Sequence, residues 1–403
     1  MLERPRLLVL NQYYWPGLEA TAHLLTELCE ALAATYDVTV VTGAARGLPA
    51  RQVRNGVTIV RVRSTTYDRS HLFRRAANYA TYSIGLLWRA MFFKRPHLVV
   101  CMTDPPFAGT IARVVAARFR VPLLVIMQDV FPEIAVRLGR LSNPVLVRLL
   151  RLLIDPSLRA ADRVVVIGET MKRRVADKGV SPERIRVIPN WGDAAGVVPL
   201  PHDNDWARQH KLAKRFVVMH SGNIGHAQNL DVLVRATTFL RDLDDLSVVI
   251  IGAGARRSHV VELARLLEAD RVEIHPYQKR PILSQSLSTA SVHVVGLARG
   301  LAGYVVPSRL YGILAAGRPV IAATDPDSET ARLVAEVGCG VVIPPGDPFA
   351  LAIAIRKAHD GEYDLADMGR RARAYAEAEA DRSIAIRRYC DVLEELQGAG
   401  ARS

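Results

Sequence analysis

Residues 98–128 read LVVCMTDPPFAGTIARVVAARFRVPLLVIMQ, and their reading decides the fold. Stretches 98–103 and 123–128 are short apolar runs without strict polar alternation, the pattern of strands buried on both faces. Between them, 107–119 has a helical pattern. Strand, helix, strand in this order is a βαβ unit, which joins parallel strands. The rhythm continues outward. Strand candidates 6–11, 38–42, 57–62, 163–167 and 186–189 flank it, with a helix over 19–34. Residues 199–214 then hold Pro, His, Asp and Asn without a clear period. A second series follows, at 216–220, 247–252, 272–276, 292–296, 319–323 and 340–343. The expectation is an α/β chain of two Rossmann-like domains with parallel, doubly wound sheets. They span 1–195 and 215–380, with a linker at 196–214. An amphipathic helical stretch at 381–403 has a place open to it on the first domain.

Composition sets bounds. At 403 residues the chain exceeds what one hydrophobic core supports. Half its residues are hydrophobic and 23% are charged, which marks a globular chain and not a disordered one. The net charge of +13 favours anionic partners: nucleic acid, anionic lipid or phosphate-bearing substrates. No nucleic-acid recognition motif accompanies it, so no nucleic-acid partner is expected. Cys29, Cys101, Cys339 and Cys390 are far apart, which excludes a CxxC metal or redox motif and suits reduced thiols in a cytoplasmic protein. The apolar run at 7–10 is too brief for a signal peptide, and Arg89 interrupts the apolar window at 76–93 that would otherwise suggest a spanning helix.

In open parallel sheets ligands bind beyond the carboxyl ends of the strands, which directs attention to five loops. The first, 11–19, carries Tyr13, Tyr14, Trp15, Gly17 and Glu19; it suits either ligand contact or aromatic packing over the sheet edge. It lacks GxGxxG, so no dinucleotide cofactor is indicated. The second holds Asp129, Phe131 and Glu133, with carboxylates suited to base chemistry, to sugar hydroxyls or to helix capping. The third places Gly222, Asn223 and Gly225 before a helix, a plausible backbone cradle for phosphate. In the fourth, Gly252 and Gly254 fit the same role or a tight turn. The fifth runs from Pro307 through Ser308, Arg309 and Leu310 to Ile321. Ser308 reads as an N-cap and Gly317 as a helix end. A first-turn Arg opposes the helix dipole preference, and such local conflicts tend to mark functional sites.

Together these loops resemble the retaining GT-B glycosyltransferases of family four, and within them the branch that builds lipid-linked bacterial surface polysaccharides. The matching pieces are 13–16, 129–133, 188–190, 221–225, 307–321 and 325–329. The resemblance implies two facing Rossmann-like domains about an interdomain cleft. A nucleotide-sugar donor, by default a UDP-sugar, is held mainly by the second domain, and a polyprenyl-diphosphate-linked saccharide acceptor mainly by the first. It also implies retention of configuration, with no cofactor and no catalytic metal. Carried over residue by residue, the catalytic candidates are Asp129 and Arg309. The donor set is Gly222, Asn223, Gly225, Gly252, Gly254, Tyr277, Pro307, Ser308, Arg309, Leu310 and Glu329. The acceptor set is Tyr13, Tyr14, Trp15, Gly17, Glu19 and Phe131. The sequence departs from relatives where two Glu hold the donor sugar and ribose: Tyr304 and Gly312 stand there. Asn223 and Gln228 stand where relatives often carry Arg and Lys. Arg309 and Glu329 are the candidate replacements.

Residues 54–95 contain nine Lys or Arg against the single acid Asp68, with Leu72, Phe73, Trp88, Phe92 and Phe93 interleaved; 137–163 adds six Arg against Asp155 and Asp162. Basic, apolar surface of this kind suits an anionic membrane face. Peripheral attachment to the cytoplasmic side of the inner membrane is therefore expected. Alternatives are a GT-B sugar-nucleotide epimerase and a catalytically silent nucleotide-binding subunit.

Overall fold

The computed structural model describes residues 4–17, 20–66, 72–90 and 92–400. Glu19, Asp68 and Arg69 lie outside the described residues. The chain divides into two compact units: Met1–Pro189 with Ala385–Ser403, and Asn190–Ile384. Among the described residues, no helix is long and apolar enough to cross a membrane.

The first unit is built on β1 (Arg6–Leu10), β2 (Asp37–Thr42), β3 (Arg51–Arg54), β4 (Val57–Arg61), β5 (Leu98–Met102), β6 (Leu123–Ile126), β7 (Arg163–Val166) and β8 (Ile185–Val187). Their spatial order is β3-β4-β2-β1-β5-β6-β7-β8. Neighbours pair in parallel, except β3 with β4. Every residue of β5 and β6 is buried, as apolar runs without alternation require. Strand β3 is missing from the sequence reading. Its signal is Asn55-Gly56, both at positive φ (45° and 80°), the two-residue turn that matches the twist of a hairpin.

Helices Leu72–Ala90, Ala108–Phe119 and Pro144–Ala160 are neighbours on this unit. The Thr110 hydroxyl donates to the Leu153 carbonyl at 2.7 Å, and the Tyr79 and Phe107 rings meet edge to face at 6.1 Å. The chain's last helix, Arg382–Gly400, carries Tyr389 and Leu393 into the core beside Leu7, Leu25 and Cys29. Arg163 and Arg186 both reach its Glu395, at 3.2 and 3.1 Å.

The second unit holds β9 (Phe216–Ser221), β10 (Leu246–Ile251), β11 (Val272–His275), β12 (Val292–Gly296), β13 (Val320–Ala323) and β14 (Gly340–Ile343). They are all parallel, in the order β11-β10-β9-β12-β13-β14. Residues 196–214, read from sequence as a linker, are part of this unit. Trp206 and Leu212 are buried in a cluster with Val217, Met219 and Ile251. The Asn204 side chain accepts from Ala207 N–H to start the helix Asp205–Gln209. Five helical residues are too few to register a period, which is why the segment looked structureless.

The last helix completes the first unit's core, so Leu393→Ala should lower stability by about 2–5 kcal/mol. Urea unfolding followed by circular dichroism reads this directly; an unchanged midpoint would place Leu393 outside the core.

Candidate active site

The winding of the second sheet reverses between β9 and β12, the place where open parallel sheets gather ligands. Arg309 opens the helix Arg309–Ala315 beyond β12, and its side chain runs back along the loop after β9. A Cβ on Gly222 would lie 3.1 Å from Arg309 Cδ. Arg309 Nη2 donates to the Gly296 carbonyl at 2.8 Å, and its buried Nε has no hydrogen-bond partner. Burial draws its pKa down to about 10, against the pull of the Tyr277 phenol, so it stays charged at neutral pH. Beneath it on β9 lies His220, which is fully buried. Burial first, and the Arg309 charge second, push its pKa well below 6.5, so it is neutral. Its Nε2 is 3.3 Å from the Asn223 carbonyl.

The two glycine loops are packed into each other. A Cβ on Gly252 would come within 1.9 Å of the Gly222 carbonyl oxygen, and one on Gly254 within 2.4 Å of the Ile224 carbonyl oxygen. Both glycines also sit at positive φ, 151° and 152°. Close approach of the two loops therefore explains Gly252 and Gly254. In the phosphate cradle expected at 221–228, three backbone amides already have protein acceptors. Gly222 N–H donates to Ile251, Ile224 N–H to Ala253, and Gly225 N–H to the Gln228 side chain at 3.1 Å. Gln228, where relatives carry a cation, instead completes its own loop, while Asn223 is exposed.

Tyr277 stands exposed after β11 (45%), near Arg309 and the backbone of Ala253; burial of its ring raises its pKa. Ser308 occupies the N-cap position of its helix, but its side chain caps nothing. Its backbone is already helical (φ −62°, ψ −23°), whereas capping needs an extended residue. Gly317 ends the helix as expected, at φ 63°. Pro307 and Leu310 are buried scaffold. Glu329 opens the helix Glu329–Val337 behind the Ser328 cap; burial raises the pKa of the nearby Tyr311 phenol, with smaller contributions from Tyr375 and the Glu329 charge. Asp325 accepts from Gly300 N–H at 2.6 Å, joining the loops after β13 and β12. Tyr304 is buried at 7% exposure, and Gly312 lies within the helix 309–315.

In the first unit, the aromatic loop after β1 is pinned by cations. Arg54 lies over the Trp15 ring at 4.8 Å, and Arg61 holds the carbonyls of Trp15 and Pro49 at 3.2 and 3.0 Å. Arg61 is buried and its pKa is lowered by that burial, so it is not part of a basic surface. Arg54 also pairs with Glu30. Tyr14 is buried, Tyr13 and Trp15 are half-buried, and Gly17 is exposed. The sequence reading placed Asn11 and Gln12 in the first loop but assigned them no role; both are buried at the end of β1, each with a side-chain oxygen lacking a partner. Two adjacent amides closing an apolar strand were the available signal. Asp129 and Phe131 line a small void beyond β6 with Thr103 and Ser157. Glu133, expected to cap a helix, instead joins a half-buried ion-pair network with Arg151, Lys178 and, through that lysine, Asp155, each contact at 2.9 Å. Among the described residues, no three His, Cys, Asp or Glu side chains group as metal ligands.

Two family models match along the chain: Glycosyl transferase 4-like domain over residues 20–191, and Glycosyl transferases group 1 over residues 203–375. The chain belongs to the group 1 glycosyltransferases. Among its relatives is "Probable glycosyltransferase WbjE" of Pseudomonas aeruginosa, 27% identical over 78% of each chain. Another is "Putative colanic acid biosynthesis glycosyl transferase WcaI" of Escherichia coli K12, 27% identical over 60% of this chain and 58% of that one. Solved structures share the GT-B fold. They include Anabaena Alr3699/HepE in complex with UDP and glucose (TM-score 0.76, 15% identity, 97% of this chain and 100% of that). WaaG, a glycosyltransferase involved in lipopolysaccharide biosynthesis, is similar (TM-score 0.70, 17% identity, 96% and 99%).

Two outcomes follow for this glycosyltransferase. Gly252→Ala should cost more than about 1 kcal/mol, because a side chain there opposes both the φ and the Gly222 carbonyl; thermal melting measures it. His220 and His293 are both buried with lowered pKa values, that of His293 by burial to about 4. The unfolded chain takes up protons near pH 6.5 that the folded one refuses. Stability should therefore be full above pH 6.5 and fall as pH drops toward 4, with a shallower slope in His293→Gln. A slope unchanged by that substitution would remove His293 from the effect.

Proposed function

We propose that this glycosyltransferase moves a hexosyl or N-acetylhexosaminyl group from a UDP-sugar to a saccharide on a polyprenyl diphosphate carrier. Transfer proceeds with retention, at the cytoplasmic face of the membrane. The observation that carries the reading is Arg309, a charged guanidinium at the winding reversal, partly withdrawn from water, with Nε unsatisfied and one carbonyl as its recorded acceptor. A diphosphate offers that guanidinium the paired oxygens it is shaped to grip.

In the proposed reaction the bond between the anomeric carbon and the diphosphate oxygen breaks, and its electron pair goes to the diphosphate. Arg309 counters the charge that develops there, in place of a divalent cation. The acceptor hydroxyl bonds to the anomeric carbon from the face the diphosphate leaves, and its proton passes to the departing diphosphate oxygen. Tyr277 is placed to lie against the base, Glu329 to take the ribose hydroxyls, and Ser308 to offer its uncapped hydroxyl to a phosphate. Gly222, Asn223, Gly225, Gly252 and Gly254 shape the floor of the donor site. In the first unit, Asp129 is the proposed partner for the acceptor hydroxyl, with Tyr13, Tyr14, Trp15, Gly17 and Phe131 forming the acceptor surface. HepE's complex with UDP and glucose supports uracil as the first base to test.

Calorimetric titration of UDP, GDP and dTDP, with uridine as control, tests the donor assignment. Arg309→Ala should weaken the favoured diphosphate roughly 10- to 100-fold, the range for a lost charge-assisted hydrogen bond, and change nucleoside binding little. Equal losses for both would sink the phosphate role. Glu329→Gln should raise the donor KM with little change in kcat; an unchanged KM removes the ribose contact. If the native protein binds none of the diphosphates, Tyr304 and Gly312 in place of the Glu pair make the silent-subunit reading the better one.

A further inference from the structure

One face of the start of the helix Pro144–Ala160 is uncovered by the described residues. This helix connects the parallel neighbours β6 and β7, so it runs opposite to the strands and begins at their carboxyl end. Its neighbour, Ala108–Phe119, meets it where Thr110 bonds Leu153. Residues 144–152 therefore precede the contact, a length of about 14 Å at 1.5 Å per residue. From Ser142 to Leu153 no side chain is fully buried, whereas Ile154, Ser157 and Leu158 are. Val145, Leu146, Leu149, Leu152 and Leu153 are 45–65% exposed. At 100° per residue they fall in one stripe about 120° wide, opposite Ile154 and Leu158. This is a concentrated apolar surface, not scattered exposure.

Its surroundings select the occupant. Arg148, which flanks the stripe on the same helix, and Arg140, just before the helix in the chain, are exposed. The nearby acids Glu133 and Asp155 are half-buried and tied to Arg151 and Lys178. A second copy docked through this face would bring like charges together, while an anionic bilayer would neutralise them and take up the leucines.

We propose that residues 144–153 are the membrane-docking element: the leucine stripe enters the interface of an anionic bilayer while the arginines bind lipid phosphates. The element stands at the carboxyl ends of the first unit's strands, the end where Asp129 and Phe131 lie. Docking there brings the proposed acceptor surface to the headgroup layer, where a lipid-linked saccharide presents its sugar. That purpose rests on the acceptor reading above; the docking itself does not.

The test is flotation with vesicles of phosphatidylcholine alone or mixed with phosphatidylglycerol, at low and high salt. The native protein should float with the mixed vesicles and much less with the neutral ones. Leu149→Glu/Leu152→Glu changes two side chains more than half exposed in the structure, and should reduce vesicle binding at least tenfold. Arg140→Glu/Arg148→Glu should abolish the preference for the anionic lipid. Both variants should keep native melting and native UDP titration, which separates this proposal from the donor reading. A leucine variant that floats like the native protein overturns the proposal. So does a native protein that ignores anionic vesicles, and so does a variant whose only change is dissociation from dimer to monomer in sedimentation.

Discussion

A guanidinium removed from water must find acceptors or an anion, and the second unit is arranged around one that has found too few. Arg309 keeps its charge, yet burial has already drawn its pKa down to about 10. Its recorded acceptor is the Gly296 carbonyl, and Nε has no partner. Neutral His220 beneath it avoids adding a second buried cation. A cation held this way gains most from an anion that accepts two hydrogen bonds at once, which is the chemistry of a diphosphate.

Room for that arrangement comes from missing side chains. Gly222 lets the Arg309 stem lie against the backbone, and Gly252 lets the Gly222 carbonyl come down onto the next loop. The amides of Gly222, Ile224 and Gly225 are then taken up by Ile251, Ala253 and the Gln228 side chain. Glycine in this chain therefore lets the two loops and the Arg309 stem pack closely, and the side chain of Arg309 supplies the charge. The first unit uses cations differently. Arg61 and Arg54 hold the loop after β1 in place, so charge that looks superficial in a linear count is internal scaffolding.

The apolar stripe at the head of the helix Pro144–Ala160 shows the complementary effect. Leucines at helical spacing normally signal a buried face. Here they face away from the buried Ile154 and Leu158, and hydrophobic residues with a regular period stay in solvent.

The parallel sheets were legible from local pattern, because a strand buried on both faces is apolar throughout and needs no distant partner to be recognised. Strands β5, β6, β10 and β12 read true to within two residues. The glycine loops and the helix carrying Arg309 were legible for the same reason: turn and helix-end chemistry is local. Other features depend on what comes close in space, which no window of sequence contains. Trp206 belongs to a core only because β9 and β10 lie beneath it. The Gly222–Gly225 loop is held in place because Gln228 folds back and Gly252 allows contact. Arg61 is buried because the loop after β1 crosses above it. The sequence by itself determined the order of strands and helices and where their loops fall. Tertiary structure alone decided which of the charged and apolar side chains are spent inside the protein and which remain for a ligand or a membrane.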